Sequence, residues 1–288
     1  MRATTRLRTL VAGPGIAMIP GAHDALAARL IEQAGFPACY MTGAGTVAAL
    51  LGMPDVGLIT MTEMVMNARY IARAVSIPLV CDADTGYGNA VNVMRTVREY
   101  EAAGAAGIHL EDQVFPKKCG HMDGKALIPA EEMAGKIRAA CEARQDPDFV
   151  IIARTDSRAV EGVEAAIRRA RLYAEAGADV IFPEAPQSRD ELARFAAEIR
   201  APLLANMTEF GKTPLVPAAE LERMGYRLVI YPASALRVAH RAMEELFAQI
   251  KRAGSQEACL DRMAHRQELY ELVGLPAVHV AERRFLGP

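Results

Sequence analysis

Residues 175–185 read EAGADVIFPEA. Ala176-Gly177 is a helix stop, Val180-Ile181-Phe182 has the β-branched and aromatic content of a buried strand, and Glu184 sets a carboxylate just past its end. Working outward, the same stop recurs in QAGF (33–36), AAGA (102–105) and RMGY (223–226). Short apolar runs follow or precede stretches of helical periodicity throughout: AMIPGA (17–22), ACYMTG (38–43), LVCDAD (79–84), GIHLED (107–112), FVIIARTD (149–156), DVIFPEA (179–185), PLLANM (202–207) and RLVIYPAS (227–234). Strands alternating with helices imply β-α units and a parallel sheet. The spacing is unequal, so this is no solenoid repeat.

Eight β-α units predict an α/β fold of the (β/α)8 TIM-barrel type. An open doubly wound sheet would leave two edges and would normally carry G-x-G-x-x-G after its first strand. That fingerprint is absent, and Gly43-Ala44-Gly45 lacks the third glycine and reads as a tight turn. At the C-terminal ends of the runs stand His23, Thr42, Asp82, Asp84, Glu111, Asp112, Arg154, Glu184, Asn206 and Ser234. Strand ends are always more polar than strand middles, but in a barrel these ends form one mouth, and so many carboxylates beside an arginine suggest a pocket. Past the eighth run, helical stretches at 236–254 and 258–273 exceed what the barrel needs. We therefore expect one barrel domain over 1–288 whose extension, 236–288, packs in an oligomer.

The chain's 288 residues suit such a barrel. With 51% hydrophobic and 24% charged residues it can bury a large core, which excludes disorder. A formal net charge of -2 offers no field for nucleic acid, so an anionic ligand needs local arginines. No run approaches the roughly 18 apolar residues of a membrane span. The N-terminal stretch is interrupted by Gly13, Pro14, Gly15 and Pro20 and reads as mature sequence. Cys39, Cys81, Cys119, Cys141 and Cys259 show no paired spacing, which predicts a reducing, cytoplasmic setting and gives zinc no motif.

Asp82-Ala83-Asp84 ends the third run before a TGYG turn, and strand alternation would send both carboxylates to one side. Adjacent carboxylates repel unless a cation or a proton lies between them, and Mg2+ suits such oxygen ligands while keeping waters that a chelating substrate can replace. Glu111 and Asp112 would stand behind them. A proton-sharing dyad and a pair of solvated turn aspartates are the other readings. In Lys117-Lys118-Cys119-Gly120-His121, after the fourth run, two lysines and a histidine would favour a thiolate able to exchange a proton near neutral pH. An incidental loop cysteine is the alternative. The other four cysteines read as packing. Arg154 ends an apolar run and needs a carboxylate from the protein or a substrate. By themselves, Arg237 and Arg266 read as exposed helix arginines, and the histidines other than His121 as structural.

DADTGYG (82–88), LEDQVFPKKCGHMDGK (110–125), IIARTD (151–156) and LANMTEFGKTPL (204–215) resemble the isocitrate lyase and phosphoenolpyruvate mutase superfamily over nearly the whole chain. KKCGH resembles its lyase branch. The resemblance implies a barrel with helices swapped between subunits, usually a homotetramer. It also implies a small-molecule 2-hydroxy acid substrate and a Mg2+ cofactor, with Mn2+ the alternative ion. Residue by residue it implies Asp82, Asp84 and Glu111 at the metal, Asp55 beside it, and Cys119 as general acid. It implies Thr42, Gly43 and Ala44 around the α-oxo acid half, although the family often has serine and more glycine there. Lys117, Gly120, His121, Arg154, Glu184, Asn206 and Thr208 match substrate contacts. The base is open between Tyr40 and a carboxylate acting through water.

Arg237 and Arg266 fall where 2-methylisocitrate lyases bind the extra carboxylates of a tricarboxylate. IFPEA (181–185), TEFG (208–211) and SALRVAHRA (234–242) point the same way. MTGAGTVAALLGMPDVGL (41–58) and PKKCGHMDGK (116–125) look at least as much like dimethylmalate-type lyases. The expected reaction is retro-aldol cleavage, with 2-methylisocitrate going to pyruvate and succinate. A dimethylmalate lyase, an oxaloacetate hydrolase or a phosphonate-forming mutase remains open. A silent barrel serving as a binding module is the reading from another class, and such a scaffold has no use for Asp82, Asp84 and Cys119 together.

Overall fold

The computed structural model describes residues 1–287. Eight parallel strands appear where the eight runs predict them: β1 Ala17–Ala22, β2 Cys39–Met41, β3 Leu79–Asp82, β4 Gly107–Glu111, β5 Val150–Thr155, β6 Val180–Pro183, β7 Leu204–Asn206 and β8 Leu228–Tyr231. They pair in the order β6-β5-β4-β3-β2-β1-β8-β7. A parallel bridge between Ile181 and Leu203 joins the two ends, so the sheet closes as a (β/α)8 barrel.

Local chemistry sets the boundaries. Helices Met61–Ala74 and Ala90–Ala103 open on reciprocal capping boxes, Thr60 with Glu63 and Asn89 with Asn92. Gly104 ends the second of them at φ 99°, a left-handed conformation that glycine adopts without strain. Residues on each strand alternate between two cores. Ile19, Tyr40, Val80, Val150, Ile152, Val180, Phe182, Leu204, Leu228 and Ile230 fill the barrel interior, and Leu7 and Val11 of the helix Ala3–Ala12 join that cluster. Cys39, Met41, Cys81, Ile108, Ile151, Ile181 and Val229 face the helical layer. Above the apolar interior, the same inward parity carries Asp82, His109, Glu111 and Arg154.

The chain divides into two compact units, the first Met1–Ser234 and the second starting at Ala235. The second holds most of the 20-residue helix Ser234–Ala253, the 3-10 turn Glu257–Arg262 and helices Arg266–Leu272 and Leu275–Leu286. Among the described residues no helix is long and apolar enough to cross a membrane.

Candidate active site

The mouth is built from strand ends and two loops. β3 stops at Asp82, and Asp84 takes φ 47°, so simple alternation does not place it as the sequence suggested. The turn does so instead: the Asp84 amide donates to Asp82 Oδ1 at 2.9 Å. Lys117 Nζ reaches Asp84 Oδ1 at 2.9 Å and Asp55 Oδ1 at 2.5 Å, which ties the cysteine loop to two of the expected acids. A Cβ on Gly43 would stand 2.3 Å from Asp82 Oδ2, so only glycine lets the helix Gly43–Leu51 start flush against that carboxylate. Thr42 caps this helix by accepting from the Gly45 amide, leaving the first-turn amides of Gly43 and Ala44 pointing to the mouth end of the helix.

Arg154 finds the carboxylates its apolar strand demands. Its Nε and Nη2 donate to Asp156 at 2.9 and 3.1 Å, and Nε lies 3.3 Å from Glu111 Oε2. A Cβ on Gly120 would meet Arg154 Nη2 at 2.5 Å and Glu184 Oε1 at 2.6 Å, so the loop lies against both. His121 Nε2 is 2.9 Å from Glu184 Oε1, while its Nδ1 accepts from the Lys212 amide. Asn206 Nδ2 donates to both Glu184 oxygens, and Thr208 is buried beside this strand end. Asp55, Asp82, Asp84, Glu111, Lys117, Gly120, His121, Arg154, Glu184 and Asn206 thus gather at one mouth, with Cys119 on the same loop as Lys117 and Gly120, and Tyr40 joins them through His109, which lies 3.5 Å from Asp82 Oδ1.

The electrostatics correct one expectation. Lys117 is spent on Asp84 and Asp55, and the His121 ring lies against Glu184, so two of the three basic side chains flanking Cys119 are already engaged by carboxylates. Burial, with Asp55 and Glu184 adding to it, raises the Cys119 thiol above 9 against the pull of the His121 amide and Arg154. It is a thiol at neutral pH and suits proton donation. Burial lifts Asp84 to about 6, against Lys117 and with Asp82 and Asp55 reinforcing the rise. Burial would raise Asp82 as well, but His109, Lys117 and Arg154 hold it low. Burial pushes Glu111 well above the carboxylate range despite Arg154. Asp156 is pulled to about 2, because Arg154 and Lys125 outweigh its desolvation.

Asp112 does not belong to the mouth. One residue past Glu111, it faces the helical layer and accepts from Thr155 and Tyr173 side chains and the Asp156 amide. Arg237 and Arg266 lie in the second unit, on Ser234–Ala253 and at the start of Arg266–Leu272, both exposed. Of the other cysteines, Cys39, Cys81 and Cys259 are buried, and Cys141 is half-buried with Sγ 3.2 Å from the Gly177 carbonyl. His109, left structural by the sequence, sits in the mouth floor. Lys125 and Asp156 were also missed; a second carboxylate two residues beyond Arg154 was the available signal.

A family model described as phosphoenolpyruvate phosphomutase matches residues 7–251. The chain belongs to the phosphoenolpyruvate phosphomutase family. Within it, the chain is 48% identical over 285 residues to a 2,3-dimethylmalate lyase of Eubacterium barkeri, covering 99% of both chains. It is 50% identical over 268 residues to a 2-methylisocitrate lyase of Aeropyrum pernix, covering 93% of this chain and 86% of the other. A solved phosphonopyruvate hydrolase in complex with oxalate and Mg2+ superposes with TM-score 0.91 at 36% identity, covering 99% of this chain and 100% of that one. Mutase-family chains thus carry several chemistries on one barrel, and the site decides among them.

The donor set fits a hard divalent cation. Asp82, Asp84 and Glu111 are buried carboxylates, and Glu111 Oε1 has no hydrogen-bond partner. Among the described residues no three ligating side chains converge tightly enough to enclose an ion unaided.

Proposed function

We propose that the chain is a metal-dependent carbon-carbon lyase acting on a 2-hydroxy di- or tricarboxylate, with 2-methylisocitrate first among candidate substrates and pyruvate and succinate as products. The observation that carries this reading is the placement of Cys119 on a loop seated against Arg154 and Glu184 and tied through Lys117 to Asp84, where burial raises its thiol pKa. Asp82, Asp84 and Glu111 would hold Mg2+, or Mn2+ as the alternative, which supplies Lewis acidity at the substrate's hydroxyl and carboxylate.

The first-turn amides of Gly43 and Ala44 receive the α-oxo acid half. Loss of the hydroxyl proton and scission of the carbon-carbon bond leave the electron pair on the second fragment, as a carbanion delocalised into its own carboxylate. Arg154, His121 and Asn206 bind that carboxylate as its charge grows. Cys119 delivers the proton to the carbon, and its thiolate is reprotonated from solvent before the next cycle. A carboxylate acting through water takes the hydroxyl proton, because burial and Asp82 raise the Tyr40 phenol well above 10 and leave it a donor.

The full-length match to a 2,3-dimethylmalate lyase supports a second reading, in which the substrate has two carboxylates. We assign Arg237 and Arg266 to the extra carboxylate of a tricarboxylate. With Mg2+ present, pyruvate release is followed from 2-methylisocitrate and 2,3-dimethylmalate, glyoxylate release from isocitrate and oxalate release from oxaloacetate. Arg237→Ala and Arg266→Ala should depress kcat/KM for the tricarboxylate far more than for dimethylmalate. Equal losses on both would discard this assignment, and no oxo-acid product from any of the hydroxy acids would discard the lyase reading. We place the enzyme in the cytoplasm as an oligomer, a homotetramer being the family's usual state.

A further inference from the structure

Lys125 lies six residues beyond Cys119, and its side chain is buried although the flanking Asp123, Gly124 and Ala126 are exposed. Its ammonium donates to the Gly120 carbonyl and, at 2.8 Å, to Asp156 Oδ1. Asp156 in turn grips Arg154 through both carboxylate oxygens, and Gly120 has no room for a Cβ against Arg154. The four groups form a closed circuit: Lys125 to Gly120, Gly120 against Arg154, Arg154 to Asp156, Asp156 back to Lys125. We propose that Lys125 is a positioning residue, a latch that fixes the Cys119-Gly120 turn relative to the Arg154 guanidinium. It touches no reacting atom; its effect passes through the Gly120 carbonyl.

The physical basis is the cost of the parts when separated. A lysine ammonium enters a dry site only with its protons engaged, and here a carboxylate and a carbonyl supply acceptors. The loop before the turn is held by the Gln113 side chain, which bonds both the amide and the carbonyl of Lys118, and by Lys117 on Asp55 and Asp84; the turn itself has the Met122 amide donating to the Cys119 carbonyl and, on the far side, His121, so Lys125 is the bond made to Gly120 itself. Freed from Lys125, Gly120 keeps van der Waals contact with Arg154 but no bond that sets its distance. Proton delivery from Cys119 requires that distance.

This inference rests on the lyase reading for its kinetic arm, and a second arm stands without it. Wild-type protein, Lys125→Met and Lys125→Gln are confirmed as folded by circular dichroism. Turnover with Mg2+ is then measured, and the rates at which iodoacetate alkylates Cys119 and Cys141 are followed by peptide mass spectrometry without substrate. Displacing a reacting group by about an ångström costs about a hundredfold in rate. The latch therefore predicts a kcat loss on that order with KM little changed, and Cys119 alkylation at least about tenfold faster while Cys141 keeps its wild-type rate. Lys125→Gln keeps a donor for Gly120 but no charge for Asp156, and should fall between; it also serves if the Met variant fails to fold. An unchanged Cys119 rate in a folded variant, or equal acceleration at Cys119 and Cys141, overturns the latch. Should the wild type cleave none of the hydroxy acids, the lyase reading fails while the ratio of the two alkylation rates still decides Lys125.

Discussion

Tyr40 Oη and His109 Nε2 share a hydrogen bond of 2.7 Å in the floor of the mouth, with the two rings stacked and the same imidazole nitrogen 3.5 Å from Asp82 Oδ1. The pair fills the layer between the apolar barrel interior and the carboxylates. Tyr40→Phe removes the hydroxyl and little volume. We expect a stability loss of about 1–3 kcal/mol from the buried imidazole left unpaired, read by urea denaturation. If Tyr40 is a donor and not the base, the pH profile of the remaining activity keeps its wild-type acidic limb; loss of that limb would return Tyr40 to the role of base.

Cys119 should behave as a buried thiol. Because its pKa is raised, the thiolate fraction is small at neutral pH and grows on the alkaline side. Iodoacetate alkylation of Cys119 should climb with pH through 9 without levelling, and activity should persist to that pH because the acid form survives there. Cys119→Ser, a far weaker acid, should lower kcat by about a hundredfold or more while leaving metal binding intact.

Mg2+ should stabilise the protein measurably without any substrate. An ion at about a hundred times its Kd contributes about 2.7 kcal/mol, a Tm rise of about 4–5 °C for a chain of this size, which scanning calorimetry reads. Asp82→Asn and Asp84→Asn should abolish the rise. With Asp84 at about 6, the carboxyl is protonated below that pH and must lose its proton to bind, so affinity should fall about tenfold per pH unit there. A Tm shift independent of pH from 7 down to 5 would contradict this.

Asp112 makes a prediction outside the chemistry. It accepts from Thr155, Tyr173 and the Asp156 amide and lies 3.5 Å from Arg169, all buried. Asp112→Ala strands these donors and should cost about 3–5 kcal/mol, seen as a fall in the urea midpoint. At a temperature where the variant stays folded, its KM should change little.

The fold was legible because barrel strands must be apolar along their length and must stop at a turn, and EAGADVIFPEA displays both. Gly107–Glu111 and Val150–Thr155 fall inside their predicted runs for that reason. The site was legible where a residue's chemistry was out of keeping with its run, as with Arg154 or Asp82. It was illegible where function depends on pairing. Nothing local shows that Lys117 spends its charge on Asp84, 33 residues earlier, which is why the thiolate expectation for Cys119 failed. Lys125 and Asp156 stand 31 residues apart, and each reads as an ordinary polar residue until the barrel closes. Asp112 was grouped with Glu111 by adjacency, although strand parity sends neighbours to opposite faces.

The helix Ala3–Ala12 leaves the ribosome before any strand, yet its partners come late. Thr4 and Thr5 hydrogen-bond Asp146 and Asp148, Arg8 pairs with Asp179, and Leu7 and Val11 join an interior that includes Leu228 and Ile230. Arg6 reaches the Ser76 carbonyl and the cluster includes Tyr40 and Val80, but the aspartates that bind Thr4, Thr5 and Arg8 all lie in the second half of the chain. Its full set of contacts is complete only when the second half of the chain is present, and such long sequence separations slow folding. Leu7 and Val11 therefore cover apolar lining from a segment that is first in the chain, so loss of that segment would bare part of the barrel's interior to water.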